Sequence, residues 1–146
     1  MKYSQKGFTF IEIMVVLTII VLLVGVSVPS YFYFQGSSVL QISKDEALQQ
    51  LYHARLLARS GQGDSNYGVY FQEDGYTVYR GDSYDLRDAF YDIVMNFPEQ
   101  VTVQSGVDAR FLQNSGLPLS AYQIVLEGLN SDETINIIIN EEGLMY

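Results

Sequence analysis

Hydrophobic positions along the chain fall into two regimes. Residues 8–28 read FTFIEIMVVLTIIVLLVGVSV, an apolar run broken by a single charge, Glu12. At about 1.5 Å of rise per residue, a helix of this length spans roughly 30 Å, the thickness of a bilayer's hydrocarbon core. The run is too long for the apolar stretch of a secretory signal peptide, and an acid near its start is out of place in one. After Gln35-Gly36-Ser37-Ser38 the pattern changes. Leu40, Ala47, Leu51, Ala54 and Ala58 recur at helical spacing, with Leu48 beside them. They predict an amphipathic helix over about 38–60, with Ser38 as its cap, Gly61 as its stop and its apolar stripe on a sheet. Ile42, Tyr52 and Leu56 lie toward the other side, among Asp45 and Gln49, where they either tuck beneath loops or meet neighbouring helices.

Beyond a turn-rich segment at 61–66, the period shortens. The runs 67–72 and 76–80 flank Glu73-Asp74-Gly75, a hairpin signal with the Asp-Gly pair that tight turns favour. Further strands are expected at 101–104, 109–112, 122–127 and 134–140, the last two flanking Asn130-Ser131-Asp132. A final Glu141-Glu142-Gly143 turn returns 144–146 as a stub strand. The predicted fold class is α+β: a long N-terminal helix, with a membrane half and an amphipathic half, packed on a mainly antiparallel β-sheet.

Composition and charge exclude more than they identify. The chain has 146 residues, room for one globular domain once the apolar run is set aside. It has no cysteine, so no disulfide holds the fold. The net charge is −9, and Lys2 and Lys6 precede the apolar run, placing its start in the cytoplasm by the positive-inside rule. The remaining chain is strongly acidic and gains nothing from counterion release on a phosphate backbone, so nucleic acid is a poor match as a partner. Twelve tyrosines and no tryptophan are a compositional hint of an extracellular β-rich domain.

Catalytic chemistry is not expected. His53 is the sole histidine and falls on the predicted helix, where a structural role is the expectation. No phosphate-binding glycine loop or zinc spacing occurs, and no cofactor is expected. Asp82, Asp85, Asp88 and Asp92 carry the carboxylates that calcium takes as ligands, but without the spacing or the glycine of an EF-hand loop. A solvated face is the expectation there, and Asp64 and Asn66 are weaker candidates still. No metal site is assigned.

Glu12 is the informative residue. A carboxylate inside an apolar helix costs about 2–3 kcal/mol or more. No basic residue lies within 8–28 to pair with it. Its cation comes from elsewhere, or the group stays protonated, or it snorkels to the cytoplasmic interface.

Lys6-Gly7-Phe8-Thr9-Phe10-Ile11-Glu12 resembles the cleavage motif of type IV prepilins and pseudopilins: a glycine, a methylated phenylalanine, and a glutamate fifth after the cut. Pro29 stands twenty-second after that cut, where these proteins carry a helix-bending proline, and Tyr31 and Tyr33 follow the same pattern. The resemblance implies a cleaved leader at 1–7, a transmembrane and assembly helix at 8–29 and an exported head at 30–146, β-rich over 66–146. It implies that prepilin peptidase cuts between Gly7 and Phe8 and methylates the new amine. Glu12 then pairs with the N-terminus of a neighbouring subunit, and Pro29 softens the helix for packing. Other pilin or pseudopilin subunits, an inner-membrane assembly platform and membrane lipid are the implied partners.

A narrower resemblance rests on Ala54-Arg55-Leu56-Leu57-Ala58-Arg59, the hairpin at Glu73-Asp74-Gly75-Tyr76 and the ending 134–143. These look like the H-type minor pseudopilins of type II secretion and related minor type IV pilins. The acidic Glu141-Glu142-Gly143-Leu144 departs from the arginine-rich turns of the DNA-binding members. Glu12 also sets the chain apart from the tip pseudopilin, which lacks this acid. The expected function is a structural subunit, minor in the first reading, of a type IV pilus or type II secretion pseudopilus. A tip-displayed adhesive or DNA-uptake minor pilin and a major pilin are the alternatives. The expected location is the inner membrane, in a single pass with the N-terminus cytoplasmic and the head exported, and then the filament.

Overall fold

The computed structural model describes residues 7–129 and 133–146, with the side chains of 26–37 outside the description. The chain divides into two compact units, Met1–Gln35 and Gly36–Tyr146. One helix, α1, is assigned over Phe10–Arg59. The break expected at 35–38 is therefore absent from the backbone, and Ser38 lies inside α1 rather than capping it. A glycine costs a helix interior about 1 kcal/mol and a serine less, and here the helix runs on through both. The expected stop does hold. Gly61 adopts a left-handed φ of 67°, and its N–H donates to the Ala58 carbonyl at 3.2 Å.

In the second unit, the end of α1 packs on two antiparallel sheets, where the sequence pattern had suggested one. The first has the order β3-β2-β1-β5, with β1 at Tyr67–Gln72, β2 at Gly75–Arg80, β3 at Ile93–Asn96 and β5 at Val107–Phe111. The second has the order β4-β6-β7, with β4 at Val101–Val103, β6 at Tyr122–Gly128 and β7 at Thr134–Ile139. The sheets separate because β5 turns back onto the free edge of β1, aligning Ala109 with Val69, rather than continuing beside β6. In place of the stub strand expected at 144–146 there is a single bridge, Met145 to Ile139.

The helical stripe behaves as its spacing predicts. Leu40, Ala47, Leu51, Ala54 and Ala58 are fully buried, in one cluster with Val69, Phe71, Phe111, Ile124, Leu126, Ile137 and Ile139. Burial of each leucine contributes about 1.5–3 kcal/mol, while the three alanines let the helix backbone approach the strands closely. Along β6 and β7 the buried residues, Ile124 and Leu126 and then Ile137 and Ile139, alternate with more exposed ones, as a sheet with one covered face requires.

Strand β3 was not foreseen. It pairs with β2 from Gly75↔Asn96 to Val78↔Ile93. Gly75 permits the pairing, since a side chain there would collide with the Met95 carbonyl. On β1, Gly68 makes similar room for the Tyr79 ring. Burial pushes the Tyr79 phenol above its usual range, and its hydrogen bond to Asp108, at 2.5 Å, adds to the shift. Tyr76 is pushed up to about 12, first by burial and then by the charge of Glu46.

Candidate functional site

The residues singled out at the N-terminus sit where α1 begins. Gly7, Phe8 and Thr9 precede the helix. The Thr9 hydroxyl accepts the Glu12 N–H at 3.3 Å, and the Glu12 carboxylate reaches back to the Thr9 N–H at 3.5 Å. This reciprocal pair is a capping box, in which the first turn's orphan donors are met by side chains. A negative group in the first turn also faces the positive end of the helix dipole. Glu12 therefore has a partner at the start of its own helix, a neutral one rather than a cation. The signal was in the sequence as Thr-x-x-Glu ahead of an apolar run. Phe8 and Glu12 line one shallow groove with Ile13, Val16 and Leu17.

In the turns that follow, Thr18 is the next polar side chain, and its hydroxyl donates to the Met14 carbonyl at 2.8 Å. The apolar side chains around it, from Phe10 to Val24, are exposed within the first unit. Among the described residues no helix is long and apolar enough to cross a membrane. The turns of the apolar run with described side chains extend from Phe10 to Gly25, roughly 24 Å at about 1.5 Å per residue. Pro29 lies within the α1 assignment, but its side chain is outside the described residues, as are residues 1–6 of the expected leader.

Further along α1, Ile42, Tyr52 and Leu56 are exposed rather than covered by loops, and the Tyr52 hydroxyl donates to the Met145 carbonyl at 3.2 Å. Arg55, which sequence reasoning left as part of a motif, proves to be an anchor. Its guanidinium donates to the carbonyls of Gly143 at 2.6 Å, Gly116 at 3.1 Å and Glu142 at 3.4 Å. One side chain thus ties the helix to two loops, including the acidic Glu141-Glu142-Gly143 turn. His53 is exposed on the helix surface.

The acidic stretch is dispersed among local partners. Asp82 accepts from Asn66 at 2.7 Å, Asp88 pairs with Arg80 at 3.2 Å, and Asp92 pairs with Arg87 at 2.8 Å. Asp64, Asn66, Asp82 and Asp88 do line one groove, but the Arg80 guanidinium shares it. Among the described residues, no three acidic, histidine or cysteine side chains converge to hold a metal ion.

Compared with known families, residues 2–28 match the prokaryotic N-terminal methylation motif. No curated protein and no solved structure gives a significant match. The matched segment ends before the second unit, so it speaks for the N-terminal segment alone. Such a motif implies processing by prepilin peptidase and assembly with other pilin subunits, and is consistent with membrane anchoring followed by entry into a filament. Together with a helix packed on antiparallel sheets, it supports a type IV pilin-like protein.

Proposed function

We propose that this chain is a minor structural subunit of a type IV pilus or a type II secretion pseudopilus. Prepilin peptidase cuts between Gly7 and Phe8, and the new amine of Phe8 is methylated. Residues 8–29 hold the chain in the inner membrane with the head outside, and the same helix then packs into the filament through Glu12 and Pro29. The resemblance to H-type minor pseudopilins carries the finer choice of a minor subunit.

The observation that supports this reading most is the condition of the apolar turns. Their hydrophobic side chains are uncovered by their own unit, yet Thr9, Glu12 and Thr18 all find intrahelical partners. In water such polar groups need no internal partner. In hydrocarbon each unmet one costs several kcal/mol. Cleavage after Gly7 places an ammonium one residue before the Thr9 amide that already faces Glu12. The carboxylate then has a cation to meet, on its own chain or on a neighbour. In a low-dielectric setting the pair sets register more than it adds net stability, because desolvation offsets much of the attraction. Gly7 suits the cut because it has no side chain to obstruct a peptidase approaching the backbone.

Mass spectrometry of the mature N-terminus tests the proposal. The expected product begins at methylated Phe8, and Gly7→Trp leaves only precursor. Met1 retained in assembled filaments, or a cut beyond Val28, contradicts it.

A further inference from the structure

Strand β3 is an edge strand with its apolar side chains uncovered. Ile93, Val94 and Met95 are 42%, 64% and 39% exposed, and they alternate between both faces of the sheet. Phe90, just before the strand, is 87% exposed. On its inner side β3 pairs with β2; among the described residues nothing pairs with its outer edge. Alternate residues of a strand turn their N–H and C=O groups to opposite sides, so the outer edge presents unpaired backbone groups beside exposed apolar side chains. Proteins usually blunt such an edge by keeping it short or with lysine, proline or a bulge, because an open one recruits another strand. Ile93-Val94-Met95-Asn96 is short but has no lysine, proline or bulge.

Charge indicates what kind of strand fits. Where β3 ends, the Phe97 N–H donates to the Asp74 carbonyl at 2.8 Å, and a groove continues past Asn96 between Glu73, Asp74 and Glu99. These three carboxylates are exposed and have no ion-pair partner among the described residues, and no basic residue lines the groove. At the other end of the strand, by contrast, Asp88 and Asp92 are already paired with Arg80 and Arg87. A second copy would bring another chain of net charge −9 against this edge, which like-charge repulsion disfavours.

We infer that the outer edge of β3 is a docking site for an extended apolar segment of a different protein, with a lysine or arginine that enters the Glu73–Asp74–Glu99 groove. The segment adds a strand beyond β3, main-chain hydrogen bonds giving affinity and the basic end giving direction. This goes beyond the filament reading and does not depend on it, since it uses only the head.

The test uses the full-length chain in lipid nanodiscs and a labelled peptide, Val-Thr-Val-Thr-Val-Lys-Lys, alongside the same peptide with glutamate for lysine. The lysine peptide is expected to bind, to slow amide hydrogen exchange at Ile93–Asn96, and to exceed the glutamate peptide by about tenfold in affinity. Val94→Lys, which blunts the edge, is expected to weaken binding about tenfold without shifting the melting temperature. Glu99→Lys, in a loop away from the core, is expected to erase the preference for lysine over glutamate. Equal affinity for the two peptides, undiminished binding by both variants, or protection only away from β3 overturns the inference. So does self-association of the chain that Val94→Lys abolishes, or peptide binding that depends on lipid in contact with the patch.

Discussion

The two ends of α1 obey opposite rules. Toward the C-terminus, Leu40, Ala47, Leu51, Ala54 and Ala58 are all buried against strands of their own chain. Near the N-terminus, Phe10 to Val24 are apolar on every side and exposed within their unit. One is a helix that a single chain can satisfy by itself. The other is hydrophobic all round, which in a stable protein means burial in a large core or a membrane. The polar groups differ in the same way. Thr9, Glu12 and Thr18 close on their own helix, whereas Arg55 reaches across to the carbonyls of Gly116 and Gly143. The comparison separates what stabilises the head from what prepares the chain to meet something else.

Paired substitutions sharpen that separation. Leu51→Ala is expected to cost about 2–5 kcal/mol, because it opens a cavity in a packed core. Leu17→Ala, on an exposed position of the first unit, is expected to leave the head within about 0.5 kcal/mol of the parent. Thermal melts of the full chain in micelles followed by near-ultraviolet circular dichroism measure both. Comparable losses would break the distinction. Arg55→Ala comes next, at about 3 kcal/mol, since hydrogen bonds to charged groups are worth about 1.5–3 kcal/mol each and the carbonyls of Gly116, Gly143 and, at longer range, Glu142 lose a donor. Arg55→Lys is expected to recover only part of this, because an ammonium lacks the planar fork that reaches Gly116 and Gly143 together.

Alkaline titration probes the head alone. Tyr76 rises from an ordinary value of 10.0 to about 12 in the folded state. Above pH 10 the unfolded chain ionises this phenol while the folded head keeps it neutral, so stability falls until about pH 12 and is unaffected below 10. Tyr79 shifts in the same direction and extends the loss. Tyr76→Phe should flatten the first part of the fall at little cost at neutral pH, because the Tyr76 hydroxyl is buried without a partner. A stability profile identical to the parent's would contradict this assignment. The smallest effect is expected from calcium. A ligand at a hundredfold excess over its Kd stabilises by about 2.7 kcal/mol, but Asp82, Asp88 and Asp92 are already engaged by Asn66, Arg80 and Arg87. Millimolar calcium and a chelator should therefore give the same melting temperature, and a rise of several degrees that Asp85→Ala abolishes would show a site.

Much of this head was readable because local signals agreed with one another. The Asp74-Gly75 pair marked the β1–β2 hairpin, and the Leu40-to-Ala58 stripe marked the buried face of the helix. The misses have distinct physical causes. Ile93-Val94-Met95-Asn96 shows no alternation, being exposed on both faces, so β3 lacked the period that announces a half-buried strand. The division into two sheets turns on β5 pairing with β1, a non-local choice that no window of sequence contains. Arg55 bonds to carbonyls 61 and 88 residues away, equally beyond local pattern. The Thr9–Glu12 box is different: its Thr-x-x-Glu spacing is local and stands in the sequence itself.

That local partner makes Glu12 the decisive residue, because cap and charge can be taken apart. Glutamine keeps the capping geometry at this position but not the charge, while Thr9→Ala removes the hydroxyl and leaves the carboxylate. The measurement is the yield of each variant in sheared filaments, normalised to its processed level in the membrane. The account predicts that Glu12→Gln and Glu12→Ala are inserted and processed normally yet fail to enter filaments, whereas Thr9→Ala enters at close to the parental yield. Normal incorporation of Glu12→Gln, with Thr9→Ala excluded, would mean that the carboxylate serves only to start its own helix, and the account of assembly through charge would be wrong.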